Sequence, residues 1–302
     1  LVSDIDRGGS FAHLLGTWAC LAKDEQKLIK GFVLNKFRGD PKLLGNAMDW
    51  LQEKTGIPTV ANLPYHRHQL PEEDSFRLGA TWLHGAINVA LVYYPYASNM
   101  DEFDALTYQS DVNLVAIQKN QDLSVFDAII LPGSKNSGKS LAFLQQTGLD
   151  EEISQFSKSG KLVLGICGGL QILGKHIYDP LQLEDGHKKG LGLIDLSTTL
   201  AYSKATQQRK INWLAQKLEA YEIHHGESVV LNDSVQVFIS ENSGWQQANI
   251  YTSYLHGLFD NAVFYNWFMK QLGAAQNGIS WNAHIDQELD KLADMFEQHG
   301  WL

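Results

Sequence analysis

A cysteine flanked by glycines at the end of an apolar run leaves a chain few ways to fold, and residues 161 to 177, KLVLGICGGLQILGKHI, form such a stretch. Lys161 to Ile166 has the continuous apolar character of a short buried strand, and Gly165, Gly168 and Gly169 supply the backbone freedom that a sharp strand-to-helix turn requires. The pattern predicts a nucleophile elbow with Cys167 in the serine position, its thiol held at the mouth of a sheet. Free amides at the start of the following helix would favour a thiolate there. The alternative for Cys167 is the ordinary fate of a free cysteine, a small buried hydrophobe, and that reading fits Cys20, which falls inside an expected helix.

The chain has 302 residues, enough for two domains with cores of their own, and its 44% hydrophobic and 19% charged content is that of a globular protein. Two cysteines in the whole chain argue against a disulfide framework and suit a reducing compartment. No apolar run reaches membrane-spanning length and no signal-peptide pattern opens the sequence, so a cytoplasmic location with no membrane partner is expected. A net charge of -10 points away from nucleic acid and toward a small-molecule partner.

In chain order, residues 1 to 16 read as a strand end, a loop carrying Asp4, Asp6 and Arg7, a Gly8-Gly9 turn and a helix. Carboxylates at the C-terminal end of a strand commonly meet magnesium and phosphate, the other reading being a solvated loop. KGFVLNKFRGD predicts a strand ending near Asn35, PKLLGNAMDWLQEKTG an amphipathic helix and IPTVANLP a further strand, so parallel pairing in an α/β fold is expected. The irregular stretch 64 to 86, with the acidic run Leu70-Pro71-Glu72-Glu73-Asp74, marks the boundary between a domain of residues 1–80 and one of 86–302. From Ile87 the alternation resumes: INVALVYYP, a polar turn at Ser98-Asn99, a short acidic segment, VNLVAIQ, FDAIILPGS, two helical segments up to Gly160, and the elbow. After Gly190 the sequence predicts short β-rich pieces, and two helices close the chain.

Residues 133–140, GSKNSGKS, satisfy the phosphate-loop pattern GxxxxGK[ST] between a strand and a helix, which would put Lys139 on phosphates and Ser140 on magnesium. No later strand ends in an aspartate to hold that ion, so the competing role is an oxyanion loop beside Cys167, donating amides from Gly133 and Ser134. For the base that a cysteine nucleophile needs, His256 in Tyr254-Leu255-His256-Gly257 stands where an apolar strand meets a glycine turn, with His224 and His225 as rivals and a satisfied core histidine as the alternative.

Together GICGGLQILG, LPGSKNS, YEIHHGES and YLHGLFDN resemble the class I glutamine amidotransferase domain of the cobyric acid synthase family. SDIDRGGSFAHLLGT, GFVLNKFRGD and LPEEDS resemble the second half of that family's ATP-dependent synthetase domain, which is related to dethiobiotin synthetase. The resemblance implies an α/β chain in which a partial P-loop-type parallel sheet precedes a flavodoxin-like amidotransferase domain. It implies that Cys167 attacks the side-chain amide of glutamine, that His256 shuttles the proton, that Gln171 contacts glutamine, and that the oxyanion sits between Gly168 and the Gly133-Ser134 loop. It further implies that Asp4 and Asp6 face magnesium and phosphate, that Asn35 meets the adenine of ATP, and that the ammonia goes to carboxylates of a corrinoid, adenosylcobyrinic acid a,c-diamide. Leu258 stands where many class I members carry a glutamate, which leaves Glu222 and Asp260 as candidates to orient the imidazole. The family's first strand, P-loop and helix have no counterpart before Leu1, so the expectation is a truncated synthetase half whose open sheet edge is either less stable or covered in a homo-oligomer. The competing functions are an amidotransferase for another acceptor and an ATP-binding module built on residues 133–140.

Overall fold

The computed structural model describes residues 1–66, 68, 70, 87–107, 112–276, 278 and 280–299. By contact the chain forms two units, Leu1–Leu70 with Ala283–Leu302, and Pro71–Asn282. Most of the acidic run placed at the boundary, residues 71–74, lies outside the described residues.

The first unit is built on three parallel strands in sequence order, Val2–Asp4, Phe32–Phe37 and Thr59–Pro64. Alternation along the middle strand sends Phe32 and Leu34 to one face, where they pack with Leu14 and Leu51 of the helices Ser10–Cys20 and Ala47–Thr55. Val33 points the other way and packs with Ala61 and Leu63, against which Phe296 of the closing helix Trp281–Gln298 is seated. That contact is why the closing helix, expected inside a domain of residues 86–302, groups from Ala283 onward with the first unit.

In the second unit a seven-stranded sheet carries five parallel strands running in from one edge: Val112–Ile117, Ile87–Val92, Ala128–Leu131, Leu162–Ile166 and Ile250–Ser253, side by side in that order. Numbered along the chain this is the order 2-1-3-4-5 of flavodoxin-like folds. Ala128–Leu131 and Leu162–Ile166 are buried at every position, the signature of strands covered on both faces. Their C-terminal ends deliver Gly133, Cys167 and, two residues beyond the last strand, Leu255–His256 to one edge of the sheet.

A second sheet is dominated by one hairpin, Leu196–Trp213 and Gln216–Val230, turning at Leu214-Ala215 with positive φ at both residues (49° and 61°) as primed hairpin turns require. Of the expected short β pieces, those ending at Leu200 and running from Tyr221 to Ser228 belong to this one long ribbon, while Gln236–Val237 and Ile250–Ser253 are short strands. Residues 201 to 212, AYSKATQQRKIN, are exposed or half-exposed throughout, so the strand shows no apolar alternation in its sequence.

Candidate active site

Cys167 closes the strand Leu162–Ile166 with φ 51° and ψ -106°, a conformation rare for a residue with a Cβ. Its amide donates to the Ser253 carbonyl at 2.7 Å and its carbonyl accepts the Gln171 amide at 3.2 Å, so neighbouring strand and following helix hold the strained residue from both sides. The glycines have steric reasons. A Cβ on Gly165 would lie 2.9 Å from the Gly169 backbone, and one on Gly168 would lie 2.6 Å from the Ser134 amide nitrogen. Gly168 and the Gly133-Ser134 loop, predicted to share an oxyanion, are therefore backbone neighbours. The loop is steadied by antiparallel pairing of Gly133–Ser134 with Ala97–Ser98.

His256 pairs across the second sheet with Tyr221 and is fully buried. Its Nδ1 stands 2.9 Å from Glu102 Oε1, while the other oxygen of Glu102 accepts the Gly257 amide at 3.2 Å. With Nδ1 committed to Glu102, Nε2 is the nitrogen left for Cys167; it is buried and has no hydrogen-bond partner of ordinary geometry, and the thiol lies 3.7 Å from the Ile223 carbonyl. Burial by itself pushes the imidazole down, but the Glu102 charge and the interaction with Cys167 outweigh it and raise His256 to about 10. The shift favours the protonated ring beside the sulfur. Tyr221 stacks on the imidazole, with centroids 5.2 Å apart, and its hydroxyl accepts a hydrogen bond from Asn99 at 2.8 Å.

Neither carboxylate proposed from the sequence to orient His256 does so. Glu222 is buried but engaged by the Ser243 hydroxyl, the Gln207 amide at 2.7 Å and Arg209 at 3.5 Å. Asp260, raised to about 7 by burial and by the nearby Glu102, Asp101 and Asp104 charges, has no bond to the ring. Glu102 sits in what the sequence shows only as a short acidic segment, MDEF, which forms a short 3-10 helix with Glu102 and Phe103 turned inward.

A cavity of about 270 Å³ opens beside Cys167. That is below the ~300–1,000 Å³ of drug-sized ligand sites and suits a single amino acid. Ser134 and Gln171 line it, joined by Ser98, Asn99 and Glu184, and His224 and His225 form part of its wall. Gln171 is buried with both ends of its amide occupied: Oε1 accepts from the Ser137 hydroxyl at 2.5 Å and Nε2 donates to the His225 carbonyl at 3.1 Å. His224 lies flat on Tyr254, centroids 3.8 Å apart, with Nδ1 3.0 Å from the Gly226 carbonyl, and burial lowers its pKa. His225 places Nδ1 3.2 Å from the Ala201 carbonyl. Both rival histidines thus belong to the cavity rather than to the imidazole position beside the nucleophile.

The phosphate-loop match is spent on other contacts. The Ser140 hydroxyl is fully buried 2.8 Å from the Ser134 hydroxyl, and the helix Ser137–Thr147 is capped by Asn136, which accepts the Lys139 amide at 2.8 Å. The Ser137 amide, which a phosphate would seek, donates instead to Glu184 Oε2 at 2.6 Å. Lys139 is exposed, its ammonium 5.5 Å above the Tyr96 ring.

In the first unit Asp4 and Asn35 stand level on adjacent strands at their C-terminal ends. Asp4 meets Lys36 at 3.1 Å and Arg7 at 3.4 Å, and the Lys36 hydrogen bond holds its carboxyl below the usual range. Asp6 meets Arg38 at 3.2 Å, and Asn35 Oδ1 accepts the Lys36 amide at 2.9 Å. Both carboxylates are thus engaged by cations, Asp4 by Lys36 and Arg7 and Asp6 by Arg38. Among the described residues no helix is long and apolar enough to cross a membrane.

Residues 88–264 match the CobB/CobQ-like glutamine amidotransferase domain. The chain is 39% identical over 321 residues to cobyric acid synthase of Acaryochloris marina, covering 97% of this chain and 65% of that protein. Against cobyric acid synthase of Variovorax paradoxus the identity is 41% over 317 residues, covering 99% and 64%. The chain thus spans a little under two thirds of the length of these relatives. Among solved structures, a crystal structure of a glutamine amidotransferase matches 62% of this chain and 99% of its own at a TM-score of 0.50 and 16% identity, a likeness of fold.

Proposed function

The chain belongs to the CobB/CobQ-like glutamine amidotransferase family, and from that premise we propose that Cys167 and His256 release ammonia from glutamine, oriented by Glu102. The observation that carries the reading is that Cys167, in a strained elbow on the wall of one small cavity, interacts with the buried imidazole of His256, which is tied to Glu102 through Nδ1.

In this reading the Cys167 thiolate attacks the side-chain amide carbon of glutamine, and the oxyanion is met by amides of Gly168 and the Gly133-Ser134 loop. As the C–N bond breaks, the imidazolium gives its Nε2 proton to the leaving nitrogen, so ammonia departs and a thioester remains. The neutral imidazole then takes a proton from water, whose oxygen attacks the thioester; glutamate leaves and thiolate and imidazolium are restored. Gln171 contacts glutamine from the cavity wall, where the Ser137 hydroxyl on Oε1 and the His225 carbonyl on Nε2 fix its amide. Glu102 stays ionised throughout and fixes which nitrogen faces the sulfur.

The relatives named cobyric acid synthase extend the proposal to glutamine-dependent amidation of corrinoid carboxylates, with adenosylcobyrinic acid a,c-diamide as acceptor. In that reaction magnesium-bound ATP supplies the activation of the acceptor carboxylate, and Asp4, Asp6 and Asn35 are the residues of this chain that would hold it.

The test is glutamine hydrolysis together with labelling by a glutamine-mimicking alkylator. Cys167→Ser is expected to abolish both and Cys20→Ser, at an exposed position, to change neither. Labelling that survives Cys167→Ser and disappears with Cys20→Ser would overturn the assignment.

A further inference from the structure

We propose that Glu184 anchors the α-ammonium group of glutamine, so that the cavity at Cys167 takes the free amino acid and rejects glutamine lacking a charged α-nitrogen. This rests on the glutaminase reading above. A free amino acid enters as a zwitterion, and each pole needs a counter-charge once water is stripped away. Among the described residues Glu184 is the one carboxylate on the wall of the cavity, and Lys135 and Lys204 bring ammonium groups to it. A carboxylate on one side and cations on another, with the nucleophile on the same wall, complement an α-amino acid whose side chain must reach Cys167.

Glu184 is also held as a recognition group is held. One oxygen accepts the Ser137 amide at 2.6 Å, which fixes the carboxylate against the first turn of the helix Ser137–Thr147. The loop that presents it is organised by Asp179, a nearly buried carboxylate that accepts the amides of Leu183 at 2.8 Å, Glu184 at 2.7 Å and Gly186 at 3.0 Å. The loop packs so closely on the helix that a Cβ on Gly138 would come 2.9 Å from the Glu184 carbonyl oxygen. A preorganised anion of this kind loses little side-chain freedom when it meets a cation. Burial holds the Glu184 carboxyl above the usual range, and an arriving ammonium would bring it back down.

The simpler role, a cap on the helix, is separated from recognition by the choice of ligand. In a Cys167→Ala background, where ligand binds without turnover, dissociation constants are measured by calorimetry for glutamine and for glutaramate, which keeps the amide and the carboxylate but has no α-amino group. Adding Glu184→Gln is expected to weaken glutamine about 10- to 100-fold, the effect of losing one hydrogen bond to a charged group, and to leave glutaramate unchanged. Glu184→Asp, which keeps the charge but withdraws it by one methylene, is expected to fall between, and supplies the comparison if the first variant does not fold. Equal weakening of both ligands, or of neither, overturns the proposal. Failure of the chain with Cys167 intact to hydrolyse glutamine at all would instead sink the glutaminase reading, and the role of Glu184 with it.

Discussion

Glu102 Oε1 lies 2.9 Å from His256 Nδ1, and the two side chains, 154 residues apart in sequence, are almost wholly withdrawn from solvent. A buried carboxylate on one ring nitrogen fixes the tautomer and aims the other nitrogen, as second partners of functional histidines commonly do. The same carboxylate accepts the Gly257 amide, so it also pins the turn on which the imidazole is mounted.

Glu102→Gln should therefore leave the fold and lower kcat for glutamine hydrolysis by on the order of 10²- to 10⁴-fold, the range for loss of an orienting carboxylate in a nucleophile–histidine site. KM should change far less, because Glu102 is not on the wall of the cavity. Asp260→Asn and Gln substitution at Glu222, made as controls, should cost much less activity, since neither side chain bonds the ring. Steady-state kinetics on the three variants checks the order.

The pair also sets a pH dependence of stability. His256 is raised to about 10 in the folded protein, because Glu102 and Cys167 outweigh the downward push of burial, against ~6.5 unfolded. A raised pKa means that the folded state binds the proton more tightly, so the stabilisation is complete below about pH 6.5 and is lost as pH rises through about 10. Denaturant unfolding between those limits should show stability falling with pH. In Glu102→Gln that slope should flatten, because burial then opposes the imidazolium with less to offset it.

What could be read from the sequence follows the range of the interactions. The elbow was legible because strand, glycines and cysteine are consecutive and each glycine answers a local steric demand, at Gly165 from Gly169 and at Gly168 from Ser134. The α/β class of the second unit followed from apolar runs and helical segments along the chain, whereas the order of its strands is set by pairing that the sequence does not show. Glu102 was illegible since nothing in MDEF says that one carboxylate of an acidic segment faces inward; packing distant in sequence, such as Phe103 against Phe259 with centroids 6.1 Å apart, draws that segment to the histidine. The long hairpin was read as fragments because residues 201–212 of its first strand have no buried position, and their pairing with a strand that buries Leu218 and Ala220 is set by a partner that is distant in sequence except at the turn.

Gly168→Ala tests the oxyanion geometry. The added Cβ would sit 2.6 Å from both the Ser134 amide nitrogen and its Cβ, and the first of these is backbone that cannot rotate away. The Gly133-Ser134 loop must shift, which overpacking of this kind makes cost about 1–3 kcal/mol of stability. Because the displaced amide is one proposed to meet the oxyanion, kcat should fall about 10²- to 10³-fold, as for loss of one such donor. Thermal unfolding and glutaminase kinetics on the same sample separate the two effects; a stable variant with unchanged kcat would mean that the loop does not serve the oxyanion.

Lys139→Ala decides the fate of the phosphate-loop match at residues 133–140. In a nucleotide-binding loop the lysine meets phosphate oxygens and the following hydroxyl holds magnesium, so losing the lysine collapses ATP affinity. Here Lys139 is exposed over Tyr96, the Ser140 hydroxyl is buried on Ser134, and Glu184 occupies the Ser137 amide with a negative charge where a triphosphate would have to enter. ATP binding, followed by calorimetry with magnesium present, is therefore expected to be the same with and without Lys139→Ala, and glutamine hydrolysis likewise. Ser140→Ala, in contrast, removes a buried partner of the Ser134 hydroxyl and should destabilise the fold by about 1–3 kcal/mol while lowering glutaminase activity. Tight ATP binding that is lost in Lys139→Ala would reverse this reading of the loop and move the phosphate site from the first unit to the helix Ser137–Thr147.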